Sequence, residues 1–263
     1  GGKGVGSQGD GSIQFLAKDK ESQKKLIEYL SSKGMHPFPL TIKARHTVRK
    51  AVIPVAGYGT RLYPATRMIK KDFFPIVDKD GRVKPVILIL LEELIASGIE
   101  EVCIVLGSEE ERQQYTDFFE TRLSDVHYSR LKKELRDYEE KILRIGKRLR
   151  YVYQKEKRGF GHAVYQTAEF AGSDPVLLLL GDTIYESNTS KPCVLQFIEE
   201  YEKYSKPMVS IHSIPLTEVS HYGIITGYWE NKEQTVLNMT RFSEKPTIHY
   251  AEVNLPVRLS DGK

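Results

Sequence analysis

Apolar positions change rhythm along the chain. An alternating pair, Ile13 and Phe15, gives way to helical spacing from Asp19 to Ser32, where Leu26, Ile27 and Leu30 share one face and Gly34 ends the run. A short strand is expected from Phe38 to Ile42, and the polar, basic residues 44–49 read as a linker. From Lys50 the pattern becomes short continuous apolar runs separated by helical ones. Lys50 to Val55, Glu101 to Leu106 and Val176 to Leu180 predict buried strands, and Met208 to Ile214 a further one. Pro85 to Ser97, stopped by Gly98, and Leu195 to Tyr204 predict helices. Buried strands alternating with helices imply an α/β chain with a largely parallel sheet covered on both faces.

One stretch breaks that alternation. Residues 109–150 are dominated by Glu, Arg, Lys, Tyr and Leu, with Tyr128, Leu131, Leu135, Tyr138, Ile142 and Ile145 at helical spacing. This predicts an insertion formed by one long charged helix, a solvated arm packed on the domain or on a partner. No chemistry is assigned to it.

Composition narrows the classes. At 263 residues, 40% hydrophobic and 28% charged, the chain is long enough for a sizeable core and unlike a disordered one. The longest apolar stretch, Val83 to Leu91, is too short to cross a bilayer and contains Lys84; no membrane partner and no secretory leader are expected. Cys103 and Cys193 make neither a disulfide framework nor a metal knuckle, which favours a cytoplasmic setting. A net charge of +4, from 39 basic and 35 acidic residues, suits a phosphorylated small substrate and gives no case for nucleic acid.

The chemistry collects where strands end. After the Lys50 strand the chain reads Gly57-Tyr58-Gly59-Thr60-Arg61-Leu62-Tyr63-Pro64-Ala65-Thr66, followed by Lys70, Lys71 and Pro75. Glycines let backbone N–H groups approach a phosphate, Arg61 is a bidentate donor, and Lys71 is a compact charge. A third glycine and a Walker ending are both absent, so neither a dinucleotide fingerprint nor a Walker loop fits. Taken whole, G-x-G-T-R-x-x-P-x-T with a lysine four residues before a proline resembles the signature of the sugar-1-phosphate nucleotidyltransferases, the nucleotide-sugar pyrophosphorylases. Four more segments resemble that family in order and spacing: Gln154 with Gly159-Phe160-Gly161-His162-Ala163, Leu180-Gly181-Asp182, Tyr222-Gly223-Ile224, and Glu244-Lys245-Pro246. The likeness covers about Lys50 to Leu255 and is strongest to the bacterial UTP–glucose-1-phosphate uridylyltransferase branch.

The resemblance implies a three-layer, Rossmann-like, mixed but mostly parallel sheet, the nucleotide-diphospho-sugar transferase fold. It implies transfer of a nucleotidyl group from an NTP, UTP by this likeness, to a sugar-1-phosphate such as glucose-1-phosphate or a related hexose or uronic acid. Arg61, Lys71 and Asp182 would be catalytic, with Asp182 holding Mg²⁺. Ala56, Gly57, Gly59, Thr60, Gln154, Gly159 and His162 would bind the nucleotide. Tyr222, Gly223, Glu244 and Lys245 would bind the sugar phosphate. The attacking phosphate is already ionised, so His162 is not needed as a base. Lys70 is left outside the site as a second phosphate contact or a solvated charge, and His212 and His221 lack ligand-like spacing.

Both ends depart from that pattern. Residues 1–43, with the glycine-rich Gly4 to Ser12 run, resemble the C-terminal tail of a GHMP sugar kinase, with residues 50–263 as the nucleotidyltransferase domain. A parent with a preceding kinase domain would phosphorylate a free sugar and then activate it. At the other end the family's second metal-binding aspartate lies well beyond E-K-P, whereas 17 residues follow Pro246 here and Asp261 is too close. The expectation is a C-terminally incomplete domain, poor in nucleotide binding or slow in turnover, with an open sheet edge that permits a homo-oligomer. Two other classes remain open at this point: a non-catalytic nucleotide-sugar-binding or regulatory module, and a glycosyltransferase, which the lack of Asp-x-Asp at Gly181-Asp182-Thr183-Ile184 disfavours.

Overall fold

A computed structural model describes residues 2–5, 12–15, 19–37, 47–57 and 59–257. They fall into two compact units, residues 1–203 and 204–263.

In the first unit, β1 (Gly2–Val5) and β2 (Ser12–Phe15) form an antiparallel pair, so the Ile13/Phe15 alternation becomes a strand with a partner that the glycine-rich start did not suggest. Helix α1 (Lys20–Ser32) starts where Asp19 accepts the Ser22 N–H at 2.7 Å, and Gly34, at φ +75°, follows its end. None of its residues is buried. The expected Phe38 to Ile42 strand, residues 6–11 and residues 44–46 of the expected linker lie outside the described residues.

The main sheet is wholly parallel. Its strands β3 (Lys50–Pro54), β6 (Glu101–Leu106), β7 (Leu149–Tyr153) and β8 (Val176–Leu178) lie in the order β7-β6-β3-β8. Between β3 and β6 come the small antiparallel pair β4 (Pro75–Val77) and β5 (Val83–Pro85), then helix α2 (Val86–Ala96). Helices α3 (Glu109–Phe119), α4 (Asp125–Arg130) and α5 (Lys133–Gly146) join β6 to β7. Helices α6 (Phe160–Tyr165) and α7 (Ala168–Ala171) precede β8, and α8 (Cys193–Tyr204) follows it.

Strand alternation makes the layers. Ala51, Ile53, Val55, Val102, Ile104 and Leu106 point to one face, against Leu91 and Leu94 of α2, Tyr115 and Phe119 of α3, and Ile198 of α8. Val52, Cys103 and Val105 point to the other, against Ala163 of α6 and Phe170 of α7. Both faces are therefore covered, as unbroken apolar strands require, and each fully buried Leu or Ile contributes about 1.5–3 kcal/mol.

Two expectations are overturned. Residues 109–150 are not one long helix on a solvated arm: they are the crossover from β6 to β7, in three helices, with the first residues of β7 included. The chain breaks where local hydrogen bonds compete with helix continuation. Ser124 caps α4 by accepting the His127 N–H, and Arg136 donates to the Ser129 and Leu131 carbonyls at 3.1 and 2.9 Å, closing α4 onto α5. At Gly146 a Cβ would lie 2.1 Å from the Phe119 carbonyl oxygen, so α5 reaches α3 only because that residue is glycine. Met208 to Ile214 is not a strand. Val209 and Ile211 are exposed and no strand among the described residues pairs with this run; apolar side chains do not make a strand without an edge to receive its N–H and C=O groups. The third run shortens, since β8 ends at Leu178 rather than Leu180.

In the second unit a 3-10 turn, Leu216–His221, leads to the antiparallel pair β9 (Gly223–Trp229) and β10 (Leu237–Glu244), with a bulge between Met239 and Arg241. Thr247 caps α9 (Ile248–Asn254), whose Ala251 packs with Val219 and Leu255. Among the described residues no helix is long and apolar enough to cross a membrane.

Candidate active site

In a parallel sheet the carboxyl ends of the strands share one rim, where loops turn toward helices. Buried Val55 and Ala56 follow β3 into Gly57, Gly59 and the 3-10 turn Thr60–Leu62. Gly59 has φ +63°, and a Cβ there would sit 2.9 Å from Thr66 Cγ2 and 3.3 Å from Lys71 Cβ. At Gly57 a Cβ would lie 3.6 Å from Lys71 Nζ. The glycines thus leave room for the lysine stem along the loop. Lys71 Nζ is 2.9 Å from Asp182 Oδ2, across 111 residues of sequence. Gly181 makes this possible: its Cβ would collide with Val55 Cγ1 at 2.5 Å, so glycine lets the end of the β8 segment close on β3. Gly57, Gly59, Lys71 and Asp182 are therefore one cluster. Thr60 and Arg61 are exposed on the same loop, and Arg61 has no ion pair or hydrogen bond among the described residues.

A second cluster lies after β7, in the same unit. Gln154 is buried; its amide donates to the Gly159 carbonyl at 2.9 Å and lies 3.2 Å from His162 Nδ1. His162 Nε2 is 3.1 Å from the Gln166 amide. Gly159, at φ +101°, opens α6. Gln154 is thus engaged by the loop that it was expected to share with a base, and His162 is held between two amides.

In the second unit the register pairs Gly223 of β9 with Glu244 of β10. The Lys245 N–H donates to the Tyr222 carbonyl at 3.0 Å, and a Cβ on Gly223 would meet the Phe242 ring at 2.7 Å and Glu244 Oε2 at 3.2 Å. Lys245 holds φ +46°, its Nζ 3.7 Å from Glu244 Oε1, with both side chains exposed. Tyr222, Gly223, Glu244 and Lys245 thus gather at one end of the pair. Asp261 lies outside the described residues.

Charged groups that the sequence reading passed over flank Lys71. Lys70 pairs with Glu111 at 2.8 Å and lies 3.9 Å from Asp72, which is fully buried and accepts a hydrogen bond from Tyr115. Burial raises the Asp72 carboxyl above its usual range, against the pull of Lys70; burial and Asp72 raise the Tyr115 phenol. Their signal was a Lys-Lys-Asp run against the apolar Phe73-Phe74-Pro75. Lys84, equally unassigned, is paired with Asp78, Asp80 and Glu92 at 2.6, 2.8 and 2.8 Å. A lysine inside the longest apolar stretch was the sign of a buried, answered charge. Cys103 is buried, which pushes its thiol up to about 12 and leaves it inert at neutral pH.

The donor set is that of a hard cation. Asp182 offers a hard, half-exposed carboxylate, and no group of three or more His, Cys, Asp or Glu among the described residues could enclose an ion. A lone carboxylate of this kind can hold a hard divalent cation together with substrate phosphates.

Comparison with known proteins identifies the family. The family model for nucleotidyl transferases matches residues 50–255. A UTP–glucose-1-phosphate uridylyltransferase of Bacillus subtilis is 36% identical over 215 residues, 80% of this chain and 68% of that protein. One of Staphylococcus saprophyticus is 32% identical over 212 residues, 80% of this chain and 70% of that protein. Among solved structures, a UDP-glucose pyrophosphorylase complexed with UDP-glucose superposes with a TM-score of 0.64 at 30% identity, covering 80% of this chain and 72% of that one. A UTP-bound enzyme from Acinetobacter baumannii gives 0.64 at 26% identity, covering 76% and 69%. With its parallel α/β sheet and the glycine loop at its rim, the chain belongs to the nucleotidyl transferase family.

Proposed function

We propose that this chain is a sugar-1-phosphate uridylyltransferase: UTP and a sugar-1-phosphate, glucose-1-phosphate first among them, give UDP-sugar and pyrophosphate. The observation that carries this reading is the Lys71–Asp182 pair at 2.9 Å, set beside the Gly57–Gly59 turn at the carboxyl ends of β3 and the β8 segment. The similarity to uridylyltransferases supports the choice of UTP and glucose-1-phosphate.

In this reaction an oxygen of the sugar phosphate attacks the α-phosphorus of UTP and pyrophosphate leaves in line. Little covalent work falls to the protein; it places two polyanions and stabilises the charge that grows on phosphorus oxygens. Ala56, Gly57, Gly59 and Thr60 supply the loop against the triphosphate, Arg61 a two-pronged donor, and Lys71 a point charge. Mg²⁺, held by Asp182, would supply further neutralisation of phosphate charge. Gln154 keeps the Gly159 turn open for the base, with His162 packed behind it. Tyr222 and Gly223 take the sugar, Glu244 its hydroxyls and Lys245 its phosphate. Residues 1–43 are read as the tail of a preceding sugar-kinase-like domain, a reading that the strand-then-helix order of β2 and α1 supports. The setting is cytoplasmic.

The test is UTP-dependent pyrophosphate release with a panel of sugar-1-phosphates. Turnover is expected with glucose-1-phosphate or a close relative and its loss in Lys71→Ala and Asp182→Asn. UDP-sugar binding without turnover would identify a binding module instead.

A further inference from the structure

Lys71 sits between two residues that face away from it. Lys70 reaches Glu111 at 2.8 Å, its ammonium 5.3 Å from the Tyr115 ring centre, and Asp72 accepts the Tyr115 hydroxyl. Both anchors belong to α3. Asp72 is fully buried, with Oδ1 lacking any hydrogen-bond partner, and Tyr115 is fully buried among Phe73, Phe119 and Tyr151. Glu111 also accepts the Gly107 N–H at 3.1 Å, directly after β6, and a Cβ on Gly107 would lie 2.6 Å from Glu111 Oε1. The base of α3 is thereby fixed to the sheet rim, and the backbone on either side of Lys71 is fixed to α3.

A buried carboxylate with an unanswered oxygen is costly to keep, as is a lysine held almost out of solvent. A pair of apolar residues would pack Phe73 and Tyr115 together more cheaply. The polar arrangement does what packing alone does not: it sets direction. Two anchors on the same helix, one ionic and one a hydrogen bond, hold the backbone on both sides of Lys71 against α3, and Lys71 projects the other way, along the Gly57–Gly59 loop to Asp182. Sub-ångström placement of such a charge is worth large factors in rate.

We infer that Glu111 and Tyr115 are positioning residues of the nucleotidyl-transfer site, acting through Lys70 and Asp72 to hold the Lys71 ammonium in register with the glycine loop and Asp182. The inference rests on the uridylyltransferase reading for its kinetic consequence and on geometry alone for the placement of Lys71.

Tyr115→Phe keeps the ring and removes the hydroxyl; Glu111→Gln keeps an acceptor for Gly107 and removes the charge from Lys70. Each is expected to lower kcat/KM for UTP about tenfold in the otherwise native protein, and by less than about twofold in a Lys71→Ala background, since the group they position is then gone. Amine labelling followed by mass spectrometry gives a readout independent of turnover. Lys71 should be modified several-fold faster in both variants, while Lys50, paired with Asp174 at 2.8 Å, is unchanged. Equal losses in the two backgrounds, or an unchanged labelling rate at Lys71, overturn the inference. A native protein that releases no pyrophosphate overturns the proposed reaction instead, and labelling then decides the placement of Lys71. If Tyr115→Phe does not fold, Glu111→Gln carries the same comparisons.

Discussion

Lys84 and Lys71 are both largely withdrawn from solvent, in the same unit, and they are answered differently. Lys84 is 4% exposed and meets three carboxylates, Asp78, Asp80 and Glu92, with Lys141 on the far side of Glu92. Burial pulls its ammonium toward neutrality, but the three hydrogen bonds outweigh this and raise its pKa. Lys71 is 15% exposed and meets one carboxylate, Asp182, itself 46% exposed. Charge that the protein neutralises completely can only tie elements together, here β5 and its turn to α2. Charge that it neutralises once, at an open rim, is still available to a polyanion. Counting partners separates the saturated Lys84 from the singly paired Lys71, a difference in packing that the bare sequence does not show.

The largest effect should come from the saturated site. Lys84→Met removes the cation that Asp78, Asp80 and Glu92 share, leaving Lys141 to Glu92 and Arg82 to Asp80 but no ion-pair partner for Asp78 among the described residues. It is expected to lower stability by about 3–5 kcal/mol, read from the urea midpoint, with turnover per folded molecule unchanged. A loss below ~1 kcal/mol would erase the distinction. Lys71→Ala should do the reverse, keeping stability within about 1 kcal/mol and lowering kcat by about 10²–10³-fold. The comparison breaks if Lys71→Ala unfolds the chain as readily as Lys84→Met.

Acid titration sharpens it further. Hydrogen bonding from Lys84, then from the Arg82 N–H, holds the Asp80 carboxyl down at about 2, against a usual 3.8. Because the folded value is the lower one, this contribution is full above the unfolded value and disappears as pH falls through about 2. The acid limb of stability between these values should therefore flatten in Lys84→Met and persist in Lys71→Ala. The smallest effect belongs to the loop. Gly59→Ala forces a side chain into φ +63° and against Thr66, costing about 1 kcal/mol and raising the KM for UTP. Gly57→Ala places its Cβ in ordinary contact, 3.6 Å from Lys71 Nζ, and should be close to neutral in thermal denaturation.

Much of the frame was legible because its drive is local. Glu101 to Leu106 is a strand to the residue, and α1 and α2 end where Gly34 and Gly98 stand. Lys71, whose stem runs beside Gly57 and Gly59, pairs with Asp182. Other expectations failed where distant groups decide. The stripe from Tyr128 to Ile145 is spread over two helices, α4 and α5, and the linker between them, because Ser124 and Arg136 complete turns that periodicity cannot register. Met208 to Ile214 has strand-like residues and no ladder. Lys70, Asp72, Glu111 and Tyr115 are separated by up to 45 positions and look like ordinary surface charge and core until the chain is packed.

Side-chain periodicity and glycine placement specified the parallel α/β layers, and the spaced loop motif carried the resemblance to the family, since each acts over a few neighbouring residues. That three carboxylates close around Lys84 and one meets Lys71 was left to the packed chain. Burial and the number of opposite charges within 3 Å set that outcome, and both come from residues brought together only by folding.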